Sequence, residues 1–518
     1  MKKKQLRWTL WTIASPFILF IILCILIYLP PIQNFLVDKA AVYASEATGM
    51  NISVGRISLS FPLNLVVTDV DAASPHKDTL LSVRRLQVNV QLLPLLKKQV
   101  EVDGISLQGA TVNSNDLIHG MRLNGTLGEL FISSHGVALD PETAIVNKVL
   151  LKDTDLSLCL NDTAAADTAA SDTTYWKIIL QDIDLQNVSF ALDMPLDSLS
   201  LAASLDNATL RDGLIDLHKS AYSLQTFRIK NGRVRYDSGR PSATAFADSL
   251  SAGLDPSHIA LTDIGVKLDS LYYEGRNMKA IISQFVLKER SGVEIVSTEG
   301  WLVSNDKVLR VPSLKLETRD SYLELNAAMD WDALDFKKEG LVSARLMADI
   351  GKPDVVRFMG SMDEKFIRKY PSEPLRIRTG IDGDLNKLKL TTLTAELPGA
   401  LELFAKGELT SLTDSLLRGG DITLQAETKD LKFISTLAEG IEIPYGTRLE
   451  GKFTMAGPKM GTDLLLMQPE AHAVAAADTI PITVYNDSIS VADDFKMERA
   501  ARLFAKYDLS RDRYEADL

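Results

Sequence analysis

From residue 51 the apolar positions recur every second residue. Ile52 and Val54, then Ile57 and Leu59, alternate with polar neighbours, and 63–70 and 80–90 keep the same period. Period two sends successive side chains to opposite sides of a strand, so each run predicts a strand with one apolar and one wet face. The pattern returns at 264–271, 282–287, 293–296 and 301–303. Leu314-Lys-Leu-Glu-Thr and Tyr322-Leu-Glu-Leu-Asn predict a hairpin around Arg319 and Asp320. Further strands are predicted at 375–379, 388–393, 400–405, 422–426 and 447–455, and 502–509 with 513–518 reads as a hairpin cut off in mid-strand.

A few stretches break the period. Ile32, Phe35, Leu36, Ala40 and Tyr43 recur at helical spacing, which predicts an amphipathic helix before Gly49. Residues 92–98 read as a short helix or turn, and 431–439 as a short helix. Between Pro353 and Tyr370, Val355, Val356, Met359, Met362, Phe366 and Ile367 give a broad apolar helical face. That helix reads as core, with a plug over an apolar groove as the sharper alternative. Residues 161–174 (NDTAAADTAASDTT) and 237–255 read as loops, and 457–491 follows no clear pattern.

One phrase recurs: apolar, polar, Gly/Asp/Asn, any, polar, apolar. Its copies are Leu107-Gln-Gly-Ala-Thr-Val112, Leu151-Lys-Asp-Thr-Asp-Leu156, Leu185-Gln-Asn-Val-Ser-Phe190 and Ile229-Lys-Asn-Gly-Arg-Val234. Gly, Asp and Asn tolerate left-handed backbone, so each copy predicts two strand segments joined at a bulge or tight bend. The copies are irregularly spaced, which gives a loosely repeated β unit and not a fixed-period solenoid.

Residues 8–29 contain no charge. About 20 apolar residues in a helix cross a bilayer core of roughly 30 Å. Trp8 and Trp11 lie at one end and Tyr28 and Leu29 at the other, and Pro16 is tolerable inside a membrane helix. Lys2, Lys3, Lys4 and Arg7 precede the span, which predicts a cytoplasmic N-terminus. The run is too long for a cleavable leader, so it predicts an anchor with the bulk of the chain on the far side.

Composition narrows the chemistry. A net charge of −12 argues against a nucleic-acid partner. A hydrophobic content of 46% is enough for a folded chain. The two cysteines, Cys24 and Cys159, are separated by the predicted membrane and cannot pair, and the six histidines show no ligand spacing. Asp-x-Asp pairs at 69/71, 153/155, 182/184, 330/332 and 382/384 read as turn chemistry and not as cation sites. There is no GxSxG, HExxH, P-loop or GxGxxG. No enzyme chemistry, metal or cofactor is expected.

One-faced strands need a cover for the apolar side. Periodicity leaves two solutions open: a second sheet, giving sandwiches, or a long trough filled by lipid chains. The candidate lining residues are Leu314, Leu316, Leu323, Leu325, Leu375, Ile377, Leu401 and Leu403, although a register slip of one would turn any strand's set outward.

The opening resembles the AsmA-like superfamily, and within it the N-terminal part of TamB-type translocation and assembly module proteins in a Bacteroidetes-like form. The resemblance rests on the anchor, Tyr28-Leu-Pro-Pro-Ile-Gln33, Thr48-Gly-Met-Asn-Ile-Ser-Val-Gly-Arg-Ile57, Phe61-Pro-Leu and Val67-Thr-Asp-Val-Asp71. Looser echoes are Gly104 to Val112, Leu287-Lys-Glu-Arg-Ser-Gly-Val-Glu-Ile295 and Tyr507-Asp-Leu with Tyr514-Glu-Ala. It implies a mainly β protein: a single inner-membrane helix followed by an elongated, curled, taco-like β-groove in the periplasm, carrying phospholipid acyl chains between inner and outer membrane. It also implies an alternative role in translocation and assembly with a TamA-like outer-membrane barrel, met through a C-terminal region that has no counterpart in this sequence. The family brings no catalytic residues. The expected organisation is 1–30 stub and anchor, 31–50 linker helix, 51–350 first groove segment, 351–374 helical insert and 375–518 groove continuation, apparently truncated.

Overall fold

A computed structural model describes residues 50–60, 64–74, 79–91, 102–114, 120–138, 142–161, 176–239, 253–335, 340–359, 364–412, 416–436, 445–469, 483–485, 488–490, 497–508 and 513–517, with a few isolated positions besides. The expected anchor at 8–29, including Trp8, Trp11, Pro16 and Leu29, lies outside the described residues. So do most of the 32–48 helix and all of 92–98. Among the described residues no helix is long and apolar enough to cross a membrane.

The chain divides into two compact units, 1–248 with 256–275, and 249–255 with 276–518. The first unit is a run of strands: β1 (Asn51–Ser60), β2 (Asn64–Ala73), β3 (Thr79–Val90), β4 (Val102–Asn113), β5 (Met121–Ala138), β6 (Thr143–Leu160), β7 (Lys177–Met194), β8 (Leu199–Asp216), β9 (Ala221–Leu224), β10 (Thr226–Ser238) and β11 (His258–Glu274). Each pairs antiparallel with the next from β1 to β6. β7 then lies parallel to β6. A parallel step needs a crossover of a dozen or more residues, and the low-complexity stretch 161–174 falls in that connection. Antiparallel pairing resumes through β8, and β9 with β10 forms one interrupted strand between β8 and β11.

The recurring phrase is a crease across this sheet. Its third residue has positive φ in all four copies: Gly109 (63°), Asp153 (49°), Asn187 (52°) and Asn231 (53°), joined by Asp69 (54°) in β2 and Asp263 (54°) in β11. All but Asp263 fall at one level, and Asp263 lies just beyond it, past the pair Gly232↔Ile264. Gly109 sits between the pairs Gln108↔Arg85 and Ala110↔Val83, and Asn187 between Gln186↔Lys152 and Val188↔Thr154. The left-handed residue shifts the side-chain alternation by one, so the apolar residues at i and i+3, such as Leu185 and Val188, stay on one face.

The second unit is an antiparallel meander: β12 (Asn277–Glu289), β13 (Glu294–Ser304), β14 (Val308–Thr318), β15 (Tyr322–Asp330), β16 (Val342–Ile350), β17 (Leu375–Gly383), β18 (Lys387–Leu397), β19 (Leu401–Thr410), β20 (Gly419–Thr428), β21 (Arg448–Ala456) and β22 (Lys459–Pro469). A two-stranded hairpin of β23 (Thr483–Tyr485) and β24 (Ser488–Ser490) follows, and then β25 (Met497–Asp508) and β26 (Arg513–Asp517). β25 pairs with β22, and β26 with β25. The 314–326 hairpin forms as its alternation predicts, with Leu314 opposite Leu325 and Leu316 opposite Leu323.

Of the helix expected over 353–370, the described residues form α1 (Lys352–Met359) and α2 (Glu364–Lys369), and 360–363 lie outside the described residues. Of the helix expected over 431–439, the described residues 431–436 hold a 3-10 turn at Ile434–Thr436, and 437–439 lie outside the described residues. Phe366, Tyr370, Leu397, Ala400, Leu431 and Phe433 form a buried cluster where α2 meets the ends of β18 and β19. The rings of Phe366, Tyr370 and Phe433 lie 5.2 to 5.7 Å apart, two pairs of them edge-to-face.

Candidate functional site

Following the register strand by strand gives ladders of residues that share a face. In the first unit one ladder reads Ile57, Val67, Leu86, Leu107, Leu130, Leu151, Leu185, Ala208, Ile229, Val266. Every residue is apolar across ten strands, a span of roughly 45 Å at the usual strand spacing. The ladder on the other side of the crease runs through Val70, Val83, Ala110, Leu127, Thr154, Val188, Leu205, Gly232 and Ile264. The opposite face reads Arg56, Thr68, Arg85, Gln108, Glu129, Lys152, Gln186, Asn207, Lys230, with no apolar member.

The second unit repeats this logic. Leu316, Leu323, Ala348, Ile377, Ala395, Leu403, Ala426, Leu449 and Leu466 form one ladder over β14 to β22. The next ladder holds Leu314, Leu325, Leu346, Thr379, Leu393, Ala405 and Leu424. Ile350 pairs with Leu375, and Leu397 with Leu401. All eight residues singled out from the sequence therefore lie on one face. Behind it run Lys315, Glu324, Met347, Arg378, Thr394, Phe404, Gln425 and Glu450, largely polar.

A closed sandwich would bury these leucines at crystal-like density. Here none of the leucines on the first unit's central ladder is buried, and Leu314, Leu316, Leu323, Leu325 and Leu403 are half-exposed. Among the described residues, four of the seven buried apolar residues in that unit are alanines. Contiguous exposed apolar areas on soluble proteins rarely exceed a few hundred Å², and these faces extend over ten and nine strands. Apolar area left in water costs about 25 cal/mol per Å² relative to covering it, so an apolar cover over such a face would be stabilising.

Leu375 and Leu401 differ from the other six because they pack under the Phe366 cluster. The helical segment is tied down by Asp354, which is 1% exposed. Its carboxylate accepts hydrogen bonds from the Thr318 hydroxyl, the Ser321 hydroxyl at 2.6 Å and Arg357 Nη1 at 2.9 Å. Arg357 also reaches Asp320 at 2.8 Å. Burial lowers the Arg357 pKa, but its hydrogen bonds to the two carboxylates outweigh this and leave it raised. Sequence alone missed this hub, because Asp354 is far in the chain from Thr318 and Ser321 and each residue reads locally as turn or helix-start chemistry.

The Asp-x-Asp pairs divide. Asp69 and Asp153 take the left-handed turn role, and Asp384 accepts backbone N–H groups of Asn386 and Lys387. Asp182 and Asp184 do not serve a turn. They lie within β7 and both pair with Arg211 of β8, Asp184 at 3.3 Å. Among the described residues no group of His, Cys, Asp and Glu could hold a metal ion. Cys159, Asp193, Ser200, Asp237 and His258 line a cleft of about 580 Å³ at one end of the first unit's polar face, where Ser200 bonds Asp193 at 2.7 Å and Arg235 bonds Asp237 at 2.7 Å.

These features define a class of protein, a β-sheet surface with one apolar and one polar side. No family model matches the chain, and no curated protein matches it in sequence.

Proposed function

We propose that this chain is an inner-membrane-anchored, periplasmic β-groove protein of the AsmA/TamB type, which moves phospholipid between the inner and outer membranes and so serves outer-membrane biogenesis. The observation that carries this reading is the unbroken apolar ladder, ten residues long in one unit and nine in the other, left partly exposed at all but Ala208 and Ala348. Acyl chains lie across the ladders while headgroups stay in water at the strand ends. The process is passive: an apolar chain passes from one rung to the next without meeting a polar group, so no step carries the several-kcal/mol cost of a mismatched contact. The charge-free stretch 8–29 supplies the anchor and a lipid source at one end.

Native mass spectrometry with lipid extraction on residues 50–518 tests this. Several phospholipids retained per chain are expected. A lipid-free, monodisperse protein overturns the reading, and retention of an outer-membrane barrel or a nascent β-protein in place of lipid moves the assignment to assembly.

A further inference from the structure

The helical segment between β16 and β17 is an insertion that the sheet does not need. Ile350 at the end of β16 already pairs with Leu375 at the start of β17, a junction that a short hairpin turn could make. The chain instead spends α1, α2 and their flanks covering Leu375, Leu397 and Leu401 on the apolar face. This cap adds no strand to the ladder, so it can move without breaking a ladder hydrogen bond. Its attachments are few: the Phe366 cluster at one point, Asp354 and the Gly351 N–H with the β14–β15 turn at another, and the Arg357 carbonyl, which accepts the Leu254 N–H at 2.7 Å, at a third. The polar attachment is built to part cleanly. Arg357 is on the same helix as Asp354 and bonds it at 2.9 Å, so the two leave the turn together as a pair. The hydroxyls left behind, on Thr318 and Ser321, are neutral, and Asp320 is already partly exposed.

We propose that α1 and α2 form a latch over the end of the second unit's apolar face. The latch is shut in this structure by Asp354 on Thr318 and Ser321. When it opens, Leu375, Leu397 and Leu401 join the open face and lengthen the surface for an acyl chain. This regulation rests on the lipid-carrying reading above.

The test uses the full chain with Cys24 and Cys159 replaced by alanine, carrying Ser321→Cys and Asp354→Cys. Oxidation locks the latch, and reduction leaves it without its carboxylate. Hydrogen exchange in the unmodified protein should show 352–359 and 364–369 exchanging at least about tenfold faster than β17 to β19. Asp354→Asn should raise the cap's exchange about threefold more and leave those strands unchanged. Vesicles of phosphatidylethanolamine and phosphatidylglycerol should load about twice as much lipid onto the reduced protein as onto the oxidised one. A cap that exchanges at the same rate as β17 to β19, or equal and non-zero lipid loading of the locked and released forms, overturns the latch. Absence of lipid in both forms, with the exchange difference present, overturns the transport reading and leaves the latch standing.

Discussion

Asn187 donates its side-chain amide to the Asp153 carboxylate at 2.9 Å, and both residues hold positive φ, 52° and 49°, on the parallel neighbours β7 and β6. The two are adjacent rungs of the crease. Without left-handed backbone there, Leu185 and Val188 would fall on opposite faces and the apolar ladders would end at that level. Asn187→Gly should leave stability within about 1 kcal/mol, because glycine takes this conformation freely. Asn187→Val should cost about 2 kcal/mol, since a β-branched residue is strained at positive φ. Urea unfolding of the two variants checks the pair.

Leu346 lies on the apolar ladder between Leu325 and Thr379, whereas Glu324 lies on the reverse side between Lys315 and Met347. Leu346→Asp should at least roughly halve the lipid retained per chain, because a carboxylate there interrupts the path at a cost of several kcal/mol. Glu324→Lys should leave retention unchanged. Native mass spectrometry of the two proteins distinguishes a face-specific effect from general damage.

Phe366 is 2% exposed and touches both other rings of its triad. Phe366→Ala should destabilise the cap by about 3–5 kcal/mol, the usual cost of emptying a buried aromatic site. The loss should appear as faster exchange in α2 and around Phe433, with the ladder of β14 and β15 still protected.

Asp463 and Arg502 form a bidentate pair on the second unit's polar face, at 2.8 and 2.6 Å. These hydrogen bonds hold the Asp463 carboxyl below its ordinary value, outweighing the opposing effect of desolvation. The folded-state pKa is thus the lower one, so the pair's contribution is whole above the unfolded carboxylate value of about 3.9 and is lost as pH falls through the depressed one. Arg502→Gln should flatten the acid limb of a stability–pH curve below about pH 4 and leave the neutral region nearly unchanged.

Much of the face was legible in the sequence because alternation is a local property. Leu314 with Leu316 and Leu323 with Leu325 announce their strands, and Arg319 with Asp320 marks the turn that joins them. The crease was legible for a similar reason: few residue types accept positive φ, and Gly109, Asp153, Asn187 and Asn231 stand at the same place in each phrase. Joining these pieces into one face was not legible, because register across strands depends on hydrogen bonds between residues distant in the chain. The choice between a sandwich and an open face had the same limit, since alternation specifies an apolar side but not its cover. The Asp354 hub and the Asp182–Arg211 pairing were hidden because both depend on partners brought together only by folding.

The neighbour-to-neighbour register has a consequence for how such a protein can change size. Within each unit a strand bonds only to the strands beside it, and outside the Phe366 cluster most of its ladder residues stay partly exposed and do not pack into a shared core. A duplicated hairpin inserted in register would therefore extend the ladder by about 9.6 Å and require no other residue to repack. A sandwich must enlarge both layers at once to stay filled. The length of this surface can thus be set in hairpin-sized steps by gene duplication.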